Sequence, residues 1–305
     1  MTHRALVLAG PTAVGKSSLA LDVAEALGAE IVSADSRQLY RGLDIGTAKP
    51  SAADRERVPH HLVDLIDPGD RITAGRWLEM ARGTIERLWA QGTPVVVVGG
   101  STLYVHALLE GLANLPPVPP ALEAQLLEAI TEPEGAQRLF EELSRSDPEA
   151  AATLDPTKSH RLVRWVGVLR STGRRPSELW AESQRAGLPS RLVVLDRPRP
   201  ELYARIDARV DGMLDSGLVD EVTRLASDSD ARPTLRATIG YQEWLPVLAG
   251  ERSAAEAVRL IKRNSRRYAK RQLTWYRRYP DASWLDARSA TAEAVLDVGG
   301  EVRRA

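Results

Sequence analysis

GPTAVGKS, Gly10 to Ser17, decides how the rest of this chain is read. It fits G-x-x-x-x-G-K-[ST], in which glycines let the backbone close on a polyphosphate and successive N–H groups aim at its oxygens. The pattern predicts a diphosphate cradle over Gly10, Pro11, Thr12, Ala13, Val14, Gly15, Lys16 and Ser17. Lys16 brings a positive charge to the phosphates, and the Ser17 hydroxyl is placed to ligate Mg²⁺. The flanks agree. RALVLA (4–9) reads as a buried strand, and Leu19, Ala20, Val23, Ala24 and Leu27 recur at helical spacing up to Gly28. The loop alone does not name its phosphate. It serves ATP-binding in a kinase and equally a pyrophosphate leaving group in another transfer.

Outward from the loop, strand and helix alternate. EIVS (30–33) reads as a second strand, 73–91 as a helix ended by Gly92, and PVVVV (94–98) as another buried strand. Gly99-Gly100 and a helix to about Glu110 follow. This order predicts an α/β fold, a P-loop NTPase-like parallel sheet flanked by helices. LPPVPP (115–120) marks a domain entrance, 121–187 reads as helical without a strand, and RLVVLD (191–196) returns as a strand. The expected organisation is a catalytic core of 1–115 with 190–305 and an all-helical insertion domain over 116–189. From 200 to 280 the chain reads as helices, and the last fifteen or so residues as peripheral.

Composition restricts the function class only weakly. The chain has 305 residues, 43% hydrophobic and 27% charged, an ordinary globular mix. Lys+Arg and Asp+Glu are both 41, so any charged partner must be read from local clusters. With no cysteine, disulfides and cysteine zinc sites are excluded. No apolar run approaches the roughly 20 residues of a membrane span, and MTHRALVLAG runs straight into the loop rather than reading as a cleavable signal. The expectation is a cytoplasmic protein with no membrane partner. No coiled-coil seam is seen, which points to a monomer.

Ligands of open α/β sheets bind outside the carboxyl ends of the strands. Gly10 follows the first strand, Asp35 and Ser36 the second, and Gly99-Gly100-Ser101 another, so all three should face one cleft. Asp35 there is a general base or an outer magnesium ligand, against the plainer reading of a turn residue. Ser101 caps the following helix or donates into the cleft. His60-His61 point to opposite sides of an extended segment, poor geometry for a metal, and read as structural. Far along the chain, RLIKRNSRRYAKRQLTWYRR (259–278) carries nine basic residues and no acid. Helical spacing makes these a stripe, which suggests a phosphate backbone as partner. A shorter basic cluster, KSHRLVRW (158–165), lies in the insertion.

Together GPTAVGKS, SADSRQLYRGLDIGTAKP (33–50), PHHLVDLIDP (59–68), VVVVGGSTLY (95–104), HRLVRW (160–165), RIDARVDGMLDSGLVDEV (205–222), GYQEW (240–244) and YAKRQLTWYRR (268–278) resemble the tRNA dimethylallyltransferase, or tRNA isopentenyltransferase, family. The resemblance implies transfer of a dimethylallyl group from dimethylallyl diphosphate to N6 of an adenosine. That adenosine lies in the tRNA anticodon arm, immediately 3′ of the anticodon. The loop then holds the donor's diphosphate with Mg²⁺, and Asp35 takes the N6 proton. Lys16 and Ser101 stand at the reacting centre, Ser101 in the place of a family Thr. One of Arg205 and Arg209 clamps the diphosphate. The tRNA-contacting positions are Asp35, Ser36, Arg37, Gln38, Ser101, His160, Arg161, Arg164, Gly240, Tyr241, Gln242, Lys270, Arg271, Gln272, Trp275 and Arg277. There are departures. Pro119 and Glu123 stand where the family often has Asp and Arg, and Gln242 replaces a common basic residue. Without cysteine there is no C-terminal zinc finger of the kind eukaryotic relatives carry. Three other readings compete: a phosphate-loop kinase of a small metabolite, an adenylate isopentenyltransferase, and a non-catalytic RNA-binding protein. The first leaves the basic stripe unused. The second leaves both the stripe and the insertion unused. The third leaves Asp35 without work.

Overall fold

A computed structural model of the chain describes residues 4–113, 115–154, 159–183 and 186–299. It divides into two compact units, 1–109 with 188–305, and 110–187.

The larger unit is built on six parallel strands: β1 (Ala5–Ala9), β2 (Glu30–Ser33), β3 (His60–His61), β4 (Val95–Gly99), β5 (Ser190–Asp196) and β6 (Ser283–Asp286), in the order β3-β2-β4-β1-β5-β6. β1 is central and every residue of it is buried, as a continuous apolar run demands when helices cover both faces. Its helices are α1 (Lys16–Leu27), α2 (Ala52–Arg57), α3 (Ala74–Ala90) and α4 (Thr102–Glu110) before the insertion. After it come α10 (Arg199–Asp215), α11 (Leu218–Ala226), α12 (Arg232–Arg236), α13 (Leu245–Leu248), α14 (Ala254–Tyr276) and α15 (Ala292–Gly299). Parallel register sets Ala9 beside Gly99 and Ser33 beside Val98, so the loops after β1, β2 and β4 leave the same edge of the sheet.

The smaller unit holds α5 (Pro120–Ala129), α6 (Gly135–Ser146), α7 (Pro148–Ala152), α8 (Ser159–Thr172) and α9 (Pro176–Ser183) around a core that includes Leu126, Leu139, Leu143, Leu162 and Val166. Asp147, 1% exposed, accepts from the Ala150 and Ser177 N–H groups and the Ser177 hydroxyl, capping α7 and fastening α9 to it. Where the chain leaves and re-enters the larger unit, the Leu188 N–H donates to the Leu108 carbonyl at 2.8 Å.

The structure departs from the sequence reading at the C-terminus. The short edge strand β6 was not expected. The segment read as peripheral instead carries α15, whose Val295 is fully buried in the same cluster as Leu6, Leu8 and Val23. Gly299 packs so closely that an added Cβ would sit 3.0 Å from Leu6.

Candidate active site

The phosphate loop is shaped by three positive φ angles, at Gly10, Ala13 and Gly15. At Gly10 a side chain is excluded twice over, by φ +146° and by the Leu195 carbonyl 2.7 Å from where a Cβ would lie. Gly15 is the N-cap of α1, so the loop ends at a helix N-terminus, where backbone N–H groups suit an anion. Val14 is buried, so it serves the loop through its backbone. The Lys16 ammonium donates to the Pro11 carbonyl at 2.8 Å. Burial first, and the Arg209 guanidinium second, hold its pKa down to about 7, while Asp35 pulls the other way.

A cleft of about 600 Å³ opens beside the loop. Thr12 and Ala13 line it from the loop, Asp35, Ser36 and Arg37 from the segment after β2, and Arg209 from α10. Gly240 and Gln242 line it from the turn before α13, and Arg267, Tyr268 and Arg271 from α14. Asp35 is held by a local turn: its N–H donates to the Ser33 hydroxyl, and its Oδ1 accepts the Arg37 N–H at 2.8 Å. The second carboxylate oxygen has no protein donor among the described residues. The two candidate arginines separate. Arg209 faces the cleft, and burial lowers its pKa against the pull of Asp35. Arg205 is exposed and braces the loop by donating from Nε to the Ala13 carbonyl at 2.9 Å.

Several residues expected to touch RNA are otherwise engaged. Gln38 donates to the Thr47 and Ala48 carbonyls and accepts from the Ser33 hydroxyl, so its amide is spent on bracing. Tyr241 is fully buried and donates its hydroxyl to Glu221; burial first, and that carboxylate second, drive its pKa upward. Gln272 is 1% exposed: its Oε1 accepts the Thr12 N–H at 2.9 Å and its Nε2 donates to the Gly100 carbonyl at 2.7 Å. Trp275 lies edge-on to His106 with the Arg278 guanidinium 4.6 Å over its ring. Arg37 donates to the Ala237 carbonyl at 2.8 Å while still lining the cleft. Ser101 is buried at the head of α4, its N–H on the Ala34 carbonyl. In the insertion, His160 and Arg161 are exposed on α8, whereas half-buried Arg164 is tied to the Leu115 carbonyl at 3.0 Å. Lys158 lies outside the described residues.

The basic stripe of α14 is divided. Lys262 pairs with Asp211 and Arg266 with Asp207, both acids on α10. Arg267, Lys270, Arg271 and Arg277 stand exposed without an ion pair among the described residues. Tyr268, which no sequence signal singled out, lines the cleft with the Arg271 guanidinium 5.7 Å from its ring centre. Burial and Asp35 push its hydroxyl up to about 12, so it is a donor at any working pH. Also missed was Glu221, 7% exposed, whose carboxylate accepts the N–H groups of Asp44, Ile45 and Gly46 as well as the Tyr241 hydroxyl. It fixes the turn that places Thr47 in the cleft wall.

Among the described residues no three His, Asp or Glu side chains form a metal cage. The exposed Ser17 hydroxyl at the head of α1 is the donor suited to Mg²⁺, which keeps waters and binds through one or two protein oxygens plus substrate phosphates.

Fold and cleft define a phosphate-loop α/β protein with a carboxylate facing the loop and an arginine-rich helix at the rim. The family model described as IPP transferase matches residues 38–279, and the chain belongs to the IPP transferase family. It is 44% identical to a tRNA dimethylallyltransferase of Salinibacter ruber, covering 96% of this chain and 91% of that one. It is 46% identical to tRNA dimethylallyltransferase 1 of Trichlorobacter lovleyi, covering 93% and 94%. Among solved structures, the tRNA isopentenylpyrophosphate transferase of Bacillus halodurans matches with a TM-score of 0.71 at 33% identity, covering 98% of this chain and 95% of that one. A eukaryotic dimethylallyltransferase acting on tRNA matches at 0.79 and 27% identity, over 94% and 74%.

Proposed function

We propose that this chain transfers a dimethylallyl group from dimethylallyl diphosphate to N6 of the adenosine 3′ of the anticodon in tRNA. The observation that carries the reading is the shared cleft: Asp35 faces the phosphate loop and Arg209 across a space rimmed by Arg267 and Arg271. A kinase of a small metabolite leaves Lys270 and Arg277, exposed on α14 and its end beyond the cleft lining, unused.

The N6 amine attacks the allylic C1 of the donor. The new N–C bond forms as the C1–O bond breaks, and the electron pair leaves with the diphosphate. Asp35 takes the N6 proton on the carboxylate oxygen that accepts from no protein donor among the described residues, while its other oxygen stays on the Arg37 N–H. Lys16, Arg209 and the loop amides stabilise charge as it develops on the leaving group. Arg205 contributes by fixing the loop rather than by touching the ligand. Ser17 would hold Mg²⁺, which when bound neutralises the diphosphate. Tyr268 supplies an aromatic wall for a base extracted from its stack, while its hydroxyl lies 3.4 Å from the Gly100 carbonyl. Arg267, Lys270 and Arg271 of α14, with Arg277 at its end, take the RNA backbone. The reading has the enzyme work in the cytoplasm as a monomer. No described helix is long and apolar enough to cross a membrane.

The test is incubation with labelled dimethylallyl diphosphate, Mg²⁺ and unmodified tRNA, followed by mass spectrometry of the nucleosides. Isopentenyladenosine is the expected product. Unlabelled tRNA with ATP hydrolysed instead would refute the reading.

A further inference from the structure

Gln272 lies on the helix that carries the exposed cations, yet it is 1% exposed and does not face solvent. Its amide spans two loops that the sequence keeps far apart. The Thr12 N–H donates to Oε1 at 2.9 Å and Nε2 donates to the Gly100 carbonyl at 2.7 Å. An N–H only donates and a carbonyl only accepts, so the two partners fix which end of the amide is which. The junction is tight: a Cβ on Gly100 would lie 2.4 Å from Nε2. The Thr12 amide, which a phosphate loop would otherwise turn toward its ligand, is thereby committed to Gln272.

We propose that Gln272 is a positioning residue for donor binding. It locks the phosphate loop after β1 to the turn after β4 and holds the Thr12–Ala13 rim of the cleft in register with the Ser101 turn. It acts through the loop and touches neither substrate. The role rests on the diphosphate-transfer reading above.

Three variants test it, with folding monitored by circular dichroism and thermal melting. Gln272→Met keeps the shape and removes both hydrogen bonds. Inorganic diphosphate binding, read by calorimetry, weakens about five- to thirtyfold, the loss of one to two hydrogen bonds. KM for dimethylallyl diphosphate rises in step, while KM for tRNA stays within twofold. Gly100→Ala, which forces Nε2 off its carbonyl, reproduces the donor defect without altering Gln272. Gln272→Glu gives a readout that a purely structural role would not move. As a carboxylate it sets an oxygen against the Gly100 carbonyl, and as a neutral acid it restores both hydrogen bonds. Its diphosphate affinity relative to wild type therefore climbs toward one as pH falls. A raised tRNA KM with an unchanged donor KM would overturn the proposal and return Gln272 to RNA contact. Unchanged diphosphate binding in both Gln272→Met and Gly100→Ala would overturn it as well. If Gln272→Met does not fold, the pH course of Gln272→Glu decides. A wild-type chain that binds diphosphate but transfers nothing refutes the reaction and leaves the calorimetric test of Gln272 standing.

Discussion

Replacing Glu221 by Gln removes one acceptor from a place where four donors meet. Oε2 takes the N–H groups of Asp44 and Ile45 at 3.0 and 2.9 Å, and Oε1 takes the Gly46 N–H at 3.1 Å and the Tyr241 hydroxyl. Whichever oxygen becomes an NH₂ group, two donors then face a donor. Tyr241 is fully buried, and the turn cannot swing out to water without lifting Gly46 from the Tyr241 ring. Each buried donor left without a partner costs about 1–3 kcal/mol, so Glu221→Gln is expected to lose about 2–6 kcal/mol. In a unit of this size, each kcal/mol lowers Tm by about 2–4 °C, which predicts a fall of about 4–24 °C. Urea unfolding followed by tryptophan fluorescence and circular dichroism gives the free energy directly. The midpoint should shift with little change in slope, because the exposed surface is the same. A loss below about 0.5 kcal/mol, the range of an ordinary surface substitution, would refute the argument that this carboxylate organises the turn.

Asp35→Asn keeps an acceptor for the Arg37 N–H but no base, so turnover falls by about 10²–10⁴-fold while tRNA affinity, read by filter binding, stays within twofold; an equal fall in both contradicts the base. Replacing Arg267, Lys270, Arg271 and Arg277 by Ala lowers the slope of log affinity against log salt by about 0.7 for each phosphate no longer neutralised, whereas deleting Arg266 together with Asp207 leaves the slope in place; the opposite ranking would relocate the RNA face. Lys16 has a depressed folded-state pKa, so its neutral form favours folding: stability gains as pH rises from about 7 toward the ordinary lysine value of 10.5 and is lost below. Diphosphate reverses this by favouring the charged form. Lys16 should therefore contribute more proton uptake on binding at pH 8 than at pH 6, read by calorimetry in buffers of different ionisation enthalpy, and Lys16→Arg, measured against wild type with the same ligand, should remove that contribution.

Local chemistry explains which parts were legible in the sequence. The loop from Gly10 to Ser17, the runs that became β1, β2, β4 and β5, and the helix over 74–90 announce themselves through residues adjacent in the chain. The carboxyl-end rule then placed Asp35 against the loop. What escaped depends on partners from elsewhere. A Glu in the first turn of α11 reads as a surface acid until the turn at Asp44–Gly46 is folded onto it. The stripe on α14 looks uniform because Asp207 and Asp211, which neutralise part of it, belong to another helix. Gln272 and Tyr241 sit in stretches rich in RNA-binding chemistry, and only burial separates them from their neighbours. The SWLD strand is too short and too mixed to stand out, and exists because β5 offers it an edge.

The hydrogen bond between Leu188 and Leu108 has a bearing on ancestry. It shuts the stem of the insertion within the larger unit, so the sheet senses a closed loop whatever hangs beyond it. The entropy of closing a loop grows only logarithmically, by about 0.6 kcal/mol for each doubling of length. Helices can therefore be added to or trimmed from this appendage over evolutionary time with little effect on the catalytic cleft. The helical unit and the sheet unit can diversify on separate schedules within one chain.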